Sequence, residues 1–380
     1  VAQVGEDRGV GTAAMAIGDF LKSTSFPFER TGNFLDLRQG VYTLDRDIIL
    51  PLNAKVRLHP GVALKMGPGV SLVTYQPITI KGLPDNPVTI KPLEENQPWG
   101  SIGVISAAEP STIRNSHIRG GSQDWLAGIF LSGQLSFYGS DVEITDSVID
   151  GAQGDDGLNI KHAKFGIRQT TFRNNRSDGF DGDWVQGTIS NSVFQNNGGD
   201  GVDISGADIV IDRGQFINMG DKGISVGEKS EAVIVNSTLT GSKIGIAVKD
   251  LSSAKVHSGS FYGNGTAVSA YRKKPMFGGA RAEITGALFW RNKANFNVDV
   301  ESQVALKGAG LSQWQDQQRI SVDDLRIGNI DDQYSYSTID GLRFNGATES
   351  PFRAGPKTEL RATSGIKLPD LSRFPIGMGQ

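Results

Sequence analysis

A step of 22 residues recurs through the middle of the chain, and no other feature limits the fold as much. Gly157 (DDGLNIK), Gly179 (SDGFDGDW), Gly201 (GDGVDIS), Gly223 (DKGISVG) and Gly245 (KIGIAVK) each open a short apolar run, and Ala267 (TAVSAY) takes the next place. A second marker keeps the step at Phe172, Phe194 and Phe216, with Leu239 and Phe261 resuming one residue late; Asn174, Asn196 and Asn218 follow in register. Each unit holds runs rich in Val, Ile, Phe and Thr divided by Gly, Asn, Asp and Ser, a pattern of strands and turns without helix. A unit this short cannot bury its own apolar face. Parallel stacking on the next unit, at about 4.8 Å, buries it, and turns the Phe positions into internal stacks and the Asn positions into a turn ladder.

The expected fold is therefore all-β, a right-handed parallel β-helix with 22-residue coils. The period is strictest over 140–275, and looser units (NSHIRGG to AGIFLSG before it, EITGALFW to FNVDV after it) extend it to about 100–300. The expected organisation is an N-terminal cap over 1–40, in which residues 12–23 (TAAMAIGDFLKS) form an amphipathic capping helix; the β-helix over 41–310; and a Pro- and Gly-punctuated extension over 311–380 packing on it. Composition removes other classes. With 38% apolar and 21% charged residues the chain is too rich in core formers to be disordered. Its 38 Lys and Arg against 41 Asp and Glu leave a formal charge of −3, without the basic excess of a nucleic-acid binder. No run approaches the roughly 18 apolar residues of a membrane span. The absence of Cys removes disulfides and thiolate catalysis and suits an exported bacterial protein, secreted, periplasmic or surface-bound. The opening Val1-Ala2-Gln3-Val4-Gly5 has neither Met nor a leader pattern, so a mature or trimmed form is expected, and a monomer.

Alternate residues of a strand face opposite ways. Counting from each Gly, positions +1 and +3 are Leu158/Ile160, Phe180/Gly182, Val202/Ile204, Ile224/Val226 and Ile246/Val248, and should point inward. Positions +2 and +4 should face solvent: Asn159/Lys161, Asp181/Asp183, Asp203/Ser205, Ser225/Gly227, Ala247/Lys249 and Ser269/Tyr271. The corner before each Gly reads Asp156, Asp178, Asp200, Lys222, Ile244 and Thr266, with a direction that parity does not decide. One face thus collects Asp156, Asp178, Asp181, Asp183, Asp200 and Asp203. Turn chemistry accounts for Asp before Gly, but not for Asp181, Asp183 and Asp203 inside strands, where Asp is disfavoured.

Carboxylates stacked at this spacing repel one another and call for protons, cations or lysines, and Lys161, Lys222 and Lys249 flank them. An array of carboxylate oxygens on rigid strands suits Ca²⁺, which takes roughly six to eight oxygen ligands. The ion would neutralise a uronate carboxylate and acidify the C5 proton. A Lys whose pKa is lowered by positive neighbours would then abstract that proton, and the bond at C4 would break by β-elimination. Two Asp about 6.5–9.5 Å apart would instead hydrolyse a glycosidic bond with inversion.

The coils and the Asp array resemble the pectate-lyase-like superfamily over about 200 residues. Polygalacturonases of glycoside hydrolase family 28 are one comparison: SDGFD, GGDGVD, GDKGISVGE and AVKD follow their motif order, but Lys222 stands where they have His, and Gly199 where they have the Asp that acts as general acid. Polysaccharide lyases of family 9 are similar in site layout, SDGFDGD resembling their DDGWD-like run. That resemblance implies calcium held by Asp156, Asp178 and Asp181, with Asp200 or Asp203 as further ligands, and Lys222 as base; Asp183, in the same array, is a further candidate ligand.

Around this core, Lys249 or Arg272 is expected to hold the substrate carboxylate, with Lys161, Tyr271 and Lys273 as further contacts. Asp200 is the general acid if the reaction is hydrolysis, paired with Asp178. His162 is a potential proton donor, and Trp184 either a sugar platform or a core residue. Glu228 and Asp250 are expected to bridge Lys222 and Lys249. The expected function is cleavage of an acidic polysaccharide by calcium-assisted β-elimination. The alternatives are an inverting hydrolase, a uronate C5 epimerase (although the DPH motif of the alginate epimerases is missing), and a noncatalytic polysaccharide-binding module.

Overall fold

The structure, a computed structural model, describes residues 13–126, 128–311, 319–323 and 326–327. Residues 1–12 of the expected cap, and 312–318, 324–325 and 328–380 of the expected extension, lie outside the described residues. By contacts the chain divides into two compact units: one runs up to Gln186 and includes Asn197–Gly199, and the other comprises Gly187–Asn196 and the residues from Asp200 onward.

In the first unit the chain lays down three strands per coil, each pairing in parallel with its equivalent on the next coil. One stack runs through Phe34–Leu37, Lys55–Leu58, Ile78–Lys81, Ser111–Arg114, Val142–Thr145 and Lys164–Arg168. A second runs from Gly40–Leu44 through Val62–Met66, Val88–Pro92, Ser116–Arg119 and Val148–Asp150 to Thr171–Arg173. The third carries the acids and is called the site sheet: Ile48–Ile49, Leu72–Thr74, Ile102–Ile105, Gly133–Tyr138, Asp156–Lys161 and Asp178–Asp183. The second unit repeats the plan, and its site sheet consists of Val202–Ser205, Lys222–Gly227, Ile244–Lys249, Thr266–Tyr271 and Ala294–Val298.

Three strands per coil need three bends, and in the regular coils each bend is made by one residue in the left-handed region, or by two in succession at Glu228–Lys229 and Asp250–Leu251. In the first unit these are Gly139, His162 and Trp184 after the site sheet, Asp146 and Gln169 at the next corner, and Gly151 and Asn174 at the third; the second unit uses Gly206, Glu228 and Asp250, then Asn191, Arg213 and Asn236, then Asn196, Asn218 and Gly241. Asn, Asp and Gly populate these bends because they tolerate that conformation best.

Position parity holds for the core. Leu158, Ile160, Phe180, Val202, Ile204, Ile224, Val226, Ile246 and Val248 are all buried. Phe194 and Phe216 stack with ring centroids 4.9 Å apart and planes 4° from parallel, as do Phe261 and Phe289 at 4.7 Å and 3°. The Asn ladder is present at the bends of the second unit. Asn174, Asn196 and Asn218 are exposed bend residues; the Asn218 amide donates to Asn196 Oδ1 at 3.4 Å, while in the first unit Asn174 donates to Asp150 instead. A buried ladder lies one residue later: in the first unit the Asn175 amide donates to Asn197 Oδ1 (3.0 Å), and in the second the Asn264 amide donates to Asn292 Oδ1 (3.0 Å).

Besides the lengthened coil between the register partners Thr79 and Thr112, two excursions lengthen single coils. Between Ser111 and Val142, which are in register, Asp124–Leu126 and Ile129–Leu131 form an antiparallel hairpin, so AGIFLSG is not a coil strand as expected. Leu126 and Leu131 pack on Ile49 and Val73, apolar residues of the site sheet. The second excursion, after Tyr271, separates Ser253 from its register partner Arg281. Among the described residues the single helix is Ile17–Ser23, shorter than the expected 12–23, with Ile17 and Phe20 buried. No helix among them is long and apolar enough to cross a membrane. Near the chain start Asp36 is buried and takes both Arg57 (2.7 and 2.8 Å) and His59 (2.8 Å), clamping adjacent strands.

Candidate functional site

In the first unit the acids sit in register on two neighbouring strands: Asp156 beside Asp178, Asn159 beside Asp181, Lys161 beside Asp183. Asp183 is taken by the Lys161 ammonium at 3.0 Å. Asp181 accepts from the Asn159 amide at 2.8 Å, which leaves Asn159 Oδ1 buried and without a hydrogen bond. Asp156 is buried and accepts from the Ser132 hydroxyl at 2.7 Å; burial, together with the charges of Asp178 and Asp155, pushes its pKa well above the usual carboxylate range. The donor set Asp156, Asn159 Oδ1, Asp178 and Asp181 is all hard oxygen on two adjacent rungs, which fits the chemistry of Ca²⁺. Asp183 fits less well, because its charge is already met by Lys161.

His162 and Trp184 follow these two strands as bend residues. Their rings stack face to face at 4.7 Å with planes 2° apart, and Trp184 is 58% exposed. Trp184 is thus a surface aromatic and not part of the core.

In the second unit the outward face is charged but largely covered. Lys222 opens its strand with its ammonium 3.3 Å from both oxygens of Asp200 and 2.5 Å from Asp221 Oδ2. The backbone N–H of Lys222 also donates to Asp200 Oδ1 at 2.8 Å. Burial works to lower the Lys222 pKa, but the two carboxylates outweigh it and hold the ammonium well above the ordinary lysine value. The lowered pKa expected of a Lys base is therefore absent, because the neighbours of the ammonium are the carboxylates of Asp200 and Asp221 and not positive groups. Asp200 is pushed up to about 6, chiefly by burial and further by Asp203, with Lys222 opposing.

Lys249 is 4% exposed, and its nearest counter-charge is Asp203 at 3.7 Å. Gly227 makes room for it: a Cβ there would stand 3.2 Å from the Lys249 Cε. Ser225, Ala247 and Ser269 share an outward column with Asp203 and are also buried, contrary to the solvent exposure expected of +2 positions. The Ser225 and Ser269 hydroxyls and Asp203 Oδ1 are buried and lack hydrogen bonds. Tyr271 lies within the electrostatic reach of Lys222, Asp221 and Asp200, and burial raises its phenol pKa.

Other expected contacts go elsewhere. Arg272 pairs with Glu301 at 2.7 Å. The backbone N–H groups of Lys273 and Lys274 donate to Asp250 Oδ1 at 2.7 and 2.8 Å, so Asp250 anchors the following loop and does not bridge Lys249. Glu228 binds Lys274 at 2.5 Å and the Ser205 hydroxyl, and not Lys222. Asp221 is the functional neighbour that sequence reasoning missed. Its signal was adjacency to Lys222 in GDKG, masked because a corner residue has no parity.

A family model described as a right-handed β-helix region matches residues 156–325. The chain has the right-handed parallel β-helix fold. Two solved structures carry that likeness further along the chain. The catalytic unit of a GH87 α-1,3-glucanase from Streptomyces thermodiastaticus is 10% identical with a TM-score of 0.55, over 85% of this chain and 67% of that one. The A-module of the mannuronan C-5 epimerase AlgE6 of Azotobacter vinelandii is 14% identical with a TM-score of 0.52, over 83% and 94%. No curated protein matches the chain.

Proposed function

We propose that this β-helix is a polysaccharide-acting enzyme that cleaves a uronate-containing chain by β-elimination, with Lys222 as the residue that takes the C5 proton. The observation that carries the reading is the Lys222 ammonium set between Asp200 and Asp221, with Lys249 and Tyr271 on the same outward face. Two buried or half-buried lysines on one rigid sheet suit a substrate that brings its own carboxylate. Both fold neighbours are named for polysaccharides, one of them a mannuronan, which supports this substrate class.

At rest Lys222 is protonated, so it must first lose a proton to act as base. The neutral amine then accepts the C5 proton, the electron pair left behind forms the C4–C5 double bond, and the C4–oxygen bond breaks with its electrons on the departing oxygen, which takes a proton from water. Lys249 balances the substrate carboxylate and the negative charge that spreads onto it as the proton leaves. In the first unit Asp156, Asn159, Asp178 and Asp181 would hold Ca²⁺, which would neutralise a uronate carboxylate bound at those residues.

Incubation with a panel of uronate polysaccharides, with calcium and then with chelator, tests the reading. Growth of the unsaturated-uronate absorbance is expected, and its loss in Lys222→Ala with the fold intact. Full activity of that variant would sink the assignment of Lys222. One observation favours a second reading: Asp200 at about 6 is suited to donate a proton as a general acid in hydrolysis. Reducing ends without the absorbance would select it.

A further inference from the structure

A cleft of about 590 Å³ opens in the first unit, lined by residues of the second strand stack and of the turns that follow its strands. We propose that this cleft is a distal subsite for a uronate residue of the same polysaccharide, recognised by the guanidinium of Arg176. The proposal rests on the uronate reading above and extends it to a second point on the chain.

The charges of the lining lead to this ligand. Two carboxylates face the cleft, and both are consumed. Glu95 is held by a two-pronged pair from Arg119 at 2.7 and 2.8 Å. Asp150 accepts from Arg173 and Asn174 at 3.1 Å and lies 3.3 Å from His117, and although burial acts upward, these partners bring its pKa down to about 2. Arg176 is different. It is exposed, donates to the Gln153 carbonyl at 3.2 Å, and has no carboxylate partner among the described residues. The cleft therefore presents one uncompensated guanidinium, and a planar carboxylate is its best-matched ligand because both N–H···O bonds can form at once. Asn96, Ser122 and Gln153 line the same space and supply hydrogen-bonding groups for sugar hydroxyls. Gly151, a left-handed bend with open space where a Cβ would stand, keeps the wall low.

The cleft is also tied to the site sheet by the chain itself. Gln153 is three residues before Asp156 and Arg176 two before Asp178. At no more than about 3.6 Å per residue, each lies within roughly 11 Å of its acid along the backbone. A polymer lying across the acids can reach the cleft with a neighbouring sugar.

The test is calorimetric binding of a short (trimer) and a long (octamer) oligouronate, and of a neutral octamer, to Lys222→Ala protein with and without Arg176→Ala, with thermal melts to check folding. The expected result is about tenfold weaker binding of the long oligouronate on removal of Arg176, equivalent to about 1.4 kcal/mol, with trimer affinity retained and part of the loss recovered in Arg176→Lys. Equal affinity of both proteins for the long oligouronate would overturn the cleft and leave the uronate reading standing. The same loss with the neutral octamer would overturn recognition of the carboxylate. If no oligouronate binds even with Arg176 present, both readings fall.

Discussion

Lys222 shows how far a side chain's chemistry depends on neighbours that strand parity cannot place. The resemblance to the family 9 lyases implied a base there, while Asp200 and Asp221 make it a strongly held cation. The expected consequence is an alkaline enzyme: well below its raised pKa the neutral fraction of Lys222 grows tenfold per pH unit, so log(kcat/KM) should climb with a slope near one from pH 7 to 10. A flat profile across that range would remove Lys222 as proton acceptor. Lys222→Arg should keep the two ion pairs and the melting temperature but lose turnover by about a hundredfold or more, the span of general-base catalysis. A second residue tests electrostatics away from the site. Glu143 faces outward beside Gly166, has a buried oxygen without a hydrogen bond, and is raised by burial to about 7, with Arg168 only partly offsetting this. Because the folded form holds this proton above the ordinary value of 4.5, stability should fall as pH rises from there to about 7 and then level off. Glu143→Gln should flatten that fall and raise the melting temperature at pH 8 by about 2 °C or more; an unchanged pH dependence in the variant would refute the role of Glu143.

At the scale of elements, the coil is set by three short strands and three left-handed bends, and the bends decide which polar residues stack. Strand alternation made the inward column Leu158, Phe180 readable in advance, because one face of each strand must be apolar. It stops at the bend. Asn174 sits in the left-handed region and bonds Asp150, whereas Asn175, one residue on, is buried and bonds Asn197. Asn197→Ala should therefore cost about 1–3 kcal/mol, since the buried amides of Asn175 lose their acceptor. Asn174→Ala should cost about 1 kcal/mol or less. Urea titrations of both variants check the contrast, and equal costs would refute the greater weight given to the buried ladder. The hairpin over 124–131 was illegible for a related reason: its alternation matches that of a coil strand, and only its antiparallel pairing and its packing on Ile49 and Val73 set it apart.

At the scale of the whole molecule, a near-neutral chain of 380 residues without Cys depends, within each unit, on apolar stacking between coils and on local charge pairs. If the oxygen donors around Asp156 and Asp178 hold calcium, millimolar Ca²⁺ should raise the melting temperature of the full chain, chelator should reverse the rise, and Asp178→Asn should abolish it. A melt indifferent to both additions would remove calcium from the reading while leaving the Lys222 chemistry to its own test. By itself the sequence determined the coil period, the inward columns and the face on which acids and lysines gather, because these follow from period-two burial repeated every 22 residues. Only the tertiary structure decided the direction of the corner residues, the pairing of Lys222 with Asp221, the burial of Lys249 beside Gly227 and the exposure of Trp184. Those features depend on left-handed bends and on side chains meeting across neighbouring coils, and no pattern along a single strand records them.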